Sequence, residues 1–293
     1  MTKTILITGA STGFGRDTAE TLAHAGHQVF ASMREPYVKN RVHADALRGQ
    51  HINVVELDVT HSPSVDRAVA AVIAKAGHID VLINNAGIAA AGVSEAFTPE
   101  QVTALFDVNV IGLHRVTRAV LPHLRRRQDG LIINIGSILG RVTFPFFGLY
   151  GASKFALEAL TDSLRYEVSQ LGIDVTLVQP SAYPTQMYAN ATQPADMERT
   201  TAYGPVGEIP VAMFQQFTTL LSGPDAPDPH DIAETIAHLI DTPKGHRPAR
   251  TVVGASYGAD TLNDATEPVQ ANTVEALGLG HLTMLPSVLS KTA

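Results

Sequence analysis

Residues 3–26 read KTILITGASTGFGRDTAETLAHAG. An apolar run of strand length, residues 4–8, passes directly into a turn holding Gly9, Gly13 and Gly15, and that turn opens a helix. Glycines at such a junction let the backbone approach a pyrophosphate closely while the helix N–H groups and dipole face the anion. A triphosphate-binding loop needs Gly-Lys-Ser or Gly-Lys-Thr at the helix start. Here Gly15 is followed by Arg16 and Asp17, which argues against mononucleotide triphosphate chemistry.

Outward from this unit the same alternation continues. Near-continuously apolar runs at 28–32, 53–57, 81–83, 131–135 and 175–178 read as strands covered on both faces. Helical stretches lie between them, including 99–127 and 149–171, the second ended by Gly172. The pattern predicts an α/β protein of Rossmann type, a doubly wound and mostly parallel sheet in a single domain over 1–293. After Pro180 the texture changes. Residues 181–229 carry Pro184, Pro194, Pro205, Pro210, Pro224, Pro227 and Pro229 with few charges, as in a long insertion over the sheet that binds substrate. Within it Met213, Phe214, Phe217, Leu220 and Leu221 recur at helical spacing. A helix over 231–240 and a last strand over 251–253 follow; the tail, 255–293, carries weak signals and has no assigned role.

Composition excludes several classes. The 293 residues include no cysteine, so disulfides, thiolate nucleophiles and cysteine-liganded zinc are ruled out. His24 and His27 flank Gly26 without an HExxH motif or carboxylate partner, and no metal is expected. With a formal charge of −7 and only Arg125, Arg126 and Arg127 as a basic cluster, a nucleic-acid partner is not expected. No run of 18 apolar residues occurs and the start lacks the pattern of a secretory leader, so no membrane partner and a cytoplasmic location are expected. No Gly-x-Ser-x-Gly elbow is present, so Ser137 does not read as an acyl nucleophile.

Tyr150 and Lys154 stand four apart on a helix and share one face. A neighbouring ammonium favours the phenolate, so the pair is expected to exchange a proton near neutral pH. The spacing Thr-Gly-x3-Gly-x-Gly, then LDVT with Asp58, NNAG from Asn84 to Gly87, FDVNVIG with Asn109, NIGSILG with Ser137 and YGASK with Tyr150 and Lys154, resembles in content and order the short-chain dehydrogenase/reductase family. The resemblance runs over roughly residues 3–253, and GLYGASKFALEALTDSLRYEV looks like the steroid and retinol dehydrogenase branch.

That resemblance implies hydride transfer between a nicotinamide cofactor and a ketone or secondary alcohol. It implies that Tyr150 protonates the carbonyl oxygen, that Ser137 donates to the same oxygen, that Lys154 also bonds the nicotinamide ribose, and that Asn109 holds a water linking Lys154 to solvent. Asn109 as a helix-interior residue bonding backbone is the alternative. Cofactor contacts are implied at Gly9, Ser11, Gly13, Phe14, Gly15, Arg34, Asp58, Val59, Asn85, Ala86, Gly87, Tyr150, Lys154, Pro180, Tyr183 and Thr185. Asn84 and Asn85 also fit a purely structural role at the end of a strand. Where the family commonly has Pro-Gly, this chain has Pro180 and Ser181, which puts the local backbone path and the main-chain contact at Tyr183 in question; Thr185 still falls five residues after Pro180.

In this fold the residue closing the second strand meets the adenosine ribose, and a carboxylate there selects NAD. Here Met33 takes that place with Arg34 beside it, which favours NADP(H) over NAD(H); the alternative is that Glu35 turns inward to read the diol. Met187, Tyr188, Met197, Tyr203, Met213, Phe214 and Phe217, with Phe144, Phe146 and Phe147, suggest a pocket for an apolar, cyclic or aromatic small molecule. The family often associates through its two long helices, so a homodimer or homotetramer is expected. Two rivals remain: a non-catalytic NAD(P) redox sensor, which needs none of the proton-transfer groups present here, and a nucleotide-sugar epimerase, which has a different glycine spacing.

Overall fold

Seven short runs become the strands of one parallel sheet in the computed structural model, which describes residues 1–285. Residues 286–293, the end of the expected tail, lie outside the described residues. The strands are β1 (Thr4–Ile7), β2 (Gln28–Met33), β3 (Asn53–Glu56), β4 (Val81–Asn84), β5 (Gly130–Ile135), β6 (Ile173–Pro180) and β7 (Arg250–Val253), ordered β3-β2-β1-β4-β5-β6-β7. All residues of β1, β4, β5 and β6 are buried, because helices cover both faces. Alternation along β1 splits the core in two. Ile5 and Ile7 pack with Leu22 of α1 (Gly13–His24) and Ile232 and Ile236 of α10 (His230–Asp241). Leu6 packs on the opposite face with Val65 and Val72 of α3 (Ser62–Ala76) and Val116 and Val120 of α5 (Leu113–Arg127). Each buried side chain of that size contributes about 1.5–3 kcal/mol.

The chain winds from β1 outward to β3 and then returns to β4 on the other side of β1. Successive connections therefore leave β1 and β4 in opposite directions, and a crevice opens at their C-terminal ends.

Three departures from the sequence reading have physical causes. Strand β6 extends beyond 175–178 at both ends because its buried polar residues are paired: Asp174 accepts from Arg247 at 3.0 Å, and Gln179 donates to Glu158 at 2.5 Å. The expected helix over 99–127 is α4 (Pro99–Phe106), a wide π-helical turn over Asp107–Gly112, and α5; such turns frequently mark functional sites. Between residues 181 and 229 lie three helices, α7 (Gln186–Ala189), α8 (Met197–Ala202) and α9 (Pro205–Leu221). On α9, Met213, Phe214 and Phe217 pack on Phe147 and Leu221 is buried, whereas Leu220 is exposed, about 120° around the helix from Phe214.

The remaining long helices are α2 (Arg41–Gly49), α6 (Gly148–Ser169) and α11 (Ala259–Ala276). Beyond α6, Gly172 turns the chain at φ +70°, where a Cβ would lie 2.4 Å from the Gln128 carbonyl. Helix α11 is formed by the tail, and its weak sequence signal follows from burying only Ala259 and Val274. Asn263 ties it to the sheet by donating to Gln179 at 2.7 Å. Among the described residues no helix is long and apolar enough to cross a membrane.

Candidate active site

The crevice between β1 and β4 is a groove lined by Gly9, Ser11, Gly13 and Phe14 after β1, Arg34 after β2, Asp58 and Val59 after β3, Asn85, Ala86 and Gly87 after β4, and Thr185 after β6. The turn after β1 is held shut from across the sheet. Asn85 Nδ2 donates to the Thr8 carbonyl at 2.9 Å and to the Gly9 carbonyl at 3.0 Å, and the Thr8 hydroxyl accepts from the Asn85 and Ala86 amides at 3.0 Å each. Gly9 has φ +67°, and a Cβ there would lie 2.8 Å from Ala86 Cα, so only glycine lets the two strand ends close. Gly13 differs: a Cβ there would have Thr185 as its nearest neighbour at 3.9 Å, so its bare backbone faces the groove. Asn84 is structural, donating to Thr117 at 3.0 Å and Asn134 at 2.9 Å. Burial alone would raise the Asp58 carboxyl, but hydrogen bonds from Thr60 and the charge of Arg34 hold it below the usual range.

Five of the expected cofactor residues do not line the groove. Tyr150 and Lys154 lie behind it, Lys154 next to Gly87. Gly15 is buried, with the site of a Cβ 2.3 Å from Asn85 Nδ2, and serves close packing. Pro180 ends β6. Tyr183 is buried edge-on to Phe14 with its hydroxyl donating to Asp231 at 3.2 Å, and its carbonyl accepts the Thr185 amide at 2.8 Å. Its side chain and carbonyl are therefore spent inside the fold. Ser181 continues β6 against β7, its amide donating to Val253 at 2.9 Å, so no left-handed backbone and no glycine is required there.

The groove's outer end is cationic. Arg34 lines it, and so do Lys39 and Asn40, which the sequence reading passed over. Asn40 donates to the Arg34 carbonyl at 2.7 Å, fixing the loop. Among the described residues neither Arg34 nor Lys39 has an ion-pair partner. Glu35, at φ +46°, does not line the groove.

At the inner end, four buried side chains meet. Ser137 follows β5, Tyr150 and Lys154 project from α6, and Asn109 comes from the π-helical turn. Lys154 Nζ donates to the Ile135 carbonyl at 3.0 Å and lies 5.7 Å from the Tyr150 ring centroid. Asn109 clamps the loop after β4 by accepting from the Ile88 amide and donating to the Ile88 carbonyl, both at 2.9 Å, and it donates to Ser153 at 3.0 Å. It bonds backbone, but that of another segment and not of its own helix. Gly87 faces both Asn109 and Lys154, where a Cβ would come within 3.5 Å of Oδ1 and 3.9 Å of Nζ.

The protonation states differ from the expectation that Lys154 lowers the Tyr150 phenol. Burial pushes Tyr150 well above an ordinary tyrosine, the nearby Tyr188 phenol adds to this, and the hydrogen bond with Ser137 offsets only part. Burial likewise pulls Lys154 down to about 8, against the opposing charge of Glu158. Glu158, one turn further along α6, is buried under Arg250, whose Nε donates to it at 2.8 Å, and Arg141 at 3.5 Å. Neither Glu158 nor Arg250 stood out in the sequence, because their pairing joins α6 to β7 across 92 positions.

Beside Ser137 lies a second, small cavity of about 20 Å³, lined by Ile138, Leu139, Phe144, Phe147, Ser181, Ala182, Tyr188, Phe217 and Tyr257. Met187, Met213 and Phe214 pack behind this wall. Met197 is 62% exposed, Tyr203 turns outward to donate to Glu95 at 2.8 Å, and Phe146 is not part of the lining. Among the described residues no cluster of His, Asp or Glu is arranged to hold a metal.

The family model for short chain dehydrogenase matches residues 3–196. The chain is 41% identical over 181 residues to 3-ketodihydrosphingosine reductase of Bacteroides thetaiotaomicron, covering 62% of this chain and 64% of that protein. It is 37% identical over 189 residues to human retinol dehydrogenase 8, covering 63% and 60%. The matches thus span less than two thirds of the length of these two relatives. A solved short-chain dehydrogenase from Streptomyces avermitilis superposes with a TM-score of 0.76 at 32% identity, over 96% of this chain and 98% of its own. Solved relatives at 26% and 27% identity, with TM-scores of 0.72 and 0.71 over 87% and 88% of this chain, hold NADH and NADPH respectively.

Proposed function

This chain belongs to the short-chain dehydrogenase family, and from that membership and the site's geometry we propose that it is an NADP(H)-dependent oxidoreductase interconverting an apolar, cyclic or aromatic ketone and its secondary alcohol. The observation that carries the reading is the meeting of Ser137, Tyr150 and Lys154 just behind Gly87, a residue that lines the groove at the strand switch point. The groove fits an anionic dinucleotide: Gly13 and Gly87 leave room a side chain would fill, and Arg34 and Lys39, without ion-pair partners among the described residues, offer cations where an adenosine ribose phosphate would sit. Lys154 would hold the nicotinamide ribose.

A nicotinamide dinucleotide bound there supplies or accepts the hydride. Tyr150, protonated at neutral pH like any tyrosine and held so more firmly by its burial, hands its proton to the carbonyl oxygen as negative charge develops there. The Ser137 hydroxyl donates to the same oxygen. Lys154, anchored on the Ile135 carbonyl, keeps its charge beside the phenol, and Asn109 stands with it beside Gly87, where the family resemblance places a water of a proton relay. A phenol held protonated suits reduction of a ketone. The apolar pocket beside Ser137 supports an uncharged substrate. Exposed Ile111 before α5 and Phe155 and Leu160 on α6 support pairing of two copies through these long helices, which sedimentation checks.

A spectrophotometric screen of ketones and alcohols with NADPH and NADH tests the assignment. Cyclic and aromatic ketones are expected to be reduced with NADPH preferred. Preference for charged sugars or keto acids overturns the substrate class, preference for NADH overturns the cofactor, and tight cofactor binding without turnover of any carbonyl overturns the enzyme reading.

A further inference from the structure

Helix α11, formed by the tail, ends a chain of polar side chains that leads back to the catalytic helix. Asn263 Nδ2 donates to Gln179 Oε1 at 2.7 Å, Gln179 Nε2 donates to Glu158 Oε1 at 2.5 Å, and Glu158 stands one turn beyond Lys154 on α6. Gln179 is fully buried, and so, nearly, is Glu158. The direction of the chain is forced. A carboxylate only accepts, so Gln179 turns its amide nitrogen to Glu158 and its oxygen to α11, where a donor is required. Asn263 is that donor.

Glu158 touches both halves of the catalytic apparatus. Gly140 closes the short helical turn Ile138–Gly140 that Ser137 caps, and a Cβ there would lie 2.9 Å from Glu158 Cγ, 3.1 Å from its Oε1 and 3.1 Å from the Lys154 carbonyl. The loop that carries Ser137 is thus seated on the turn of α6 between Lys154 and Glu158. The charged groups facing the carboxylate are Arg250 from β7, Arg141 after the Ser137 loop and Lys154 on its own helix, while Asp162 meets the cluster through Arg250. Tyr150 is the other titratable group beside Lys154. Burial raises the Glu158 carboxyl above the ordinary range, and Arg250, Gln179 and Arg141 oppose that rise, so its charge depends on keeping these partners.

Building on the oxidoreductase reading, we propose that Asn263 and Gln179 are positioning residues of the active site: α11 fixes the Gln179 amide, the amide fixes the Glu158 carboxylate, and Glu158 supports both the Lys154 ammonium and the seat of the Ser137 loop. The tail helix is then a working part of the catalytic frame. A substitution on it is felt at Lys154, although no residue of α11 touches that side chain's hydrogen-bond partners.

Asn263→Leu keeps the size of the residue and its fitness for a helix but removes the donor. Gln179 is then free to turn its amide nitrogen away, Glu158 loses a hydrogen bond to its charged form and takes up a proton more readily, and Lys154, with less opposing charge, gives up its own proton at lower pH. The test follows Lys154 by NMR in protein carrying lysine isotope-labelled at Cε, its resonance assigned from its loss in Lys154→Arg. In Asn263→Leu the Lys154 titration is expected roughly half a pH unit below wild type, a part of what removing the carboxylate outright would give. In a Glu158→Gln background the same substitution should not move it, because the link is already cut. The alkaline limb of kcat/KM for NADPH-linked ketone reduction should shift together with the resonance. Melting curves report folding, and Asn263→Ala takes the place of the leucine if that side chain disturbs the helix. An unmoved titration, or an equal shift in both backgrounds, overturns the proposal. A moved titration in a protein that reduces no carbonyl overturns the oxidoreductase reading and leaves the positioning chain standing; turnover with an unmoved titration does the reverse.

Discussion

Replacing Glu158 with Gln tests whether the buried charge behind the catalytic helix sets the working range of Lys154. The carboxylate is 4% exposed; it accepts from Gln179 at 2.5 Å and Arg250 at 2.8 Å, and Arg141 stands 3.5 Å away. Asp162, the other acid in the cluster, pairs with Arg250. The amide keeps the shape but removes the negative charge, leaving Lys154, Arg141 and Arg250 around it. Removing one member of a buried pair costs about 3–5 kcal/mol, and with Asp162 still holding Arg250 and the amide oxygen still accepting, about 2 kcal/mol remains. For a chain of this size that is a fall in Tm of about 3 °C. The electrostatic effect has a definite sign. Glu158 opposes the burial that pulls Lys154 down to about 8, so without it the charged form is less favoured and Lys154 loses its proton at lower pH. If protonated Lys154 is required, kcat/KM for ketone reduction is full below its titration and falls above it. In Glu158→Gln that alkaline limb should move toward acid by about one pH unit, the effect of an opposite charge within about 4–6 Å. The assay is kcat/KM against pH for both proteins beside their melting curves. A lower Tm with an unmoved limb would refute the coupling and leave Glu158 as packing alone.

Tyr150→Phe should leave NADPH binding near the wild-type value while kcat falls by about 10²-fold or more, because the ring stays and the transferable proton goes; wild-type turnover removes Tyr150 from the chemistry. Arg34→Ala should raise KM for NADPH by roughly tenfold and change that for NADH little, with Lys39→Ala adding to the loss, since each contributes a charge-assisted contact to phosphate; equal weakening of both cofactors would show that Arg34 does not read the phosphate. Asn85→Ala deletes the two hydrogen bonds that hold the Thr8 and Gly9 carbonyls. About 1–3 kcal/mol should be lost, visible as a lower Tm with weaker binding of NADPH and NADH alike; an unchanged Tm would mean that the turn after β1 holds without this clamp.

Much of this molecule was legible in the chain itself because the signals are local. The run from Thr4 into Gly9, Gly13 and Gly15 specifies a strand, a turn and a helix through periodicity and glycine chemistry acting over a few residues. The spacing of Tyr150 and Lys154 places them on one face of α6 by helix geometry alone. Repetition of such units leaves a doubly wound parallel sheet as the architecture that buries them, and a crevice at its switch point follows. What the fold alone decided is where distant segments meet and how much water they exclude. Lys39 joins Arg34 through the path of one loop, Asn109 reaches the backbone of Ile88, and the Tyr183 side chain turns into the core to meet Asp231. Tyr188 parts from its neighbours on α7 to face the cavity beside Ser137, and Arg250 and Asn263 arrive from later in the chain to enclose Glu158 and Gln179. The protonation of Tyr150 belongs here too: residue spacing pointed to a phenol lowered by its ammonium neighbour, but burial, a property of the assembled core, raises it instead.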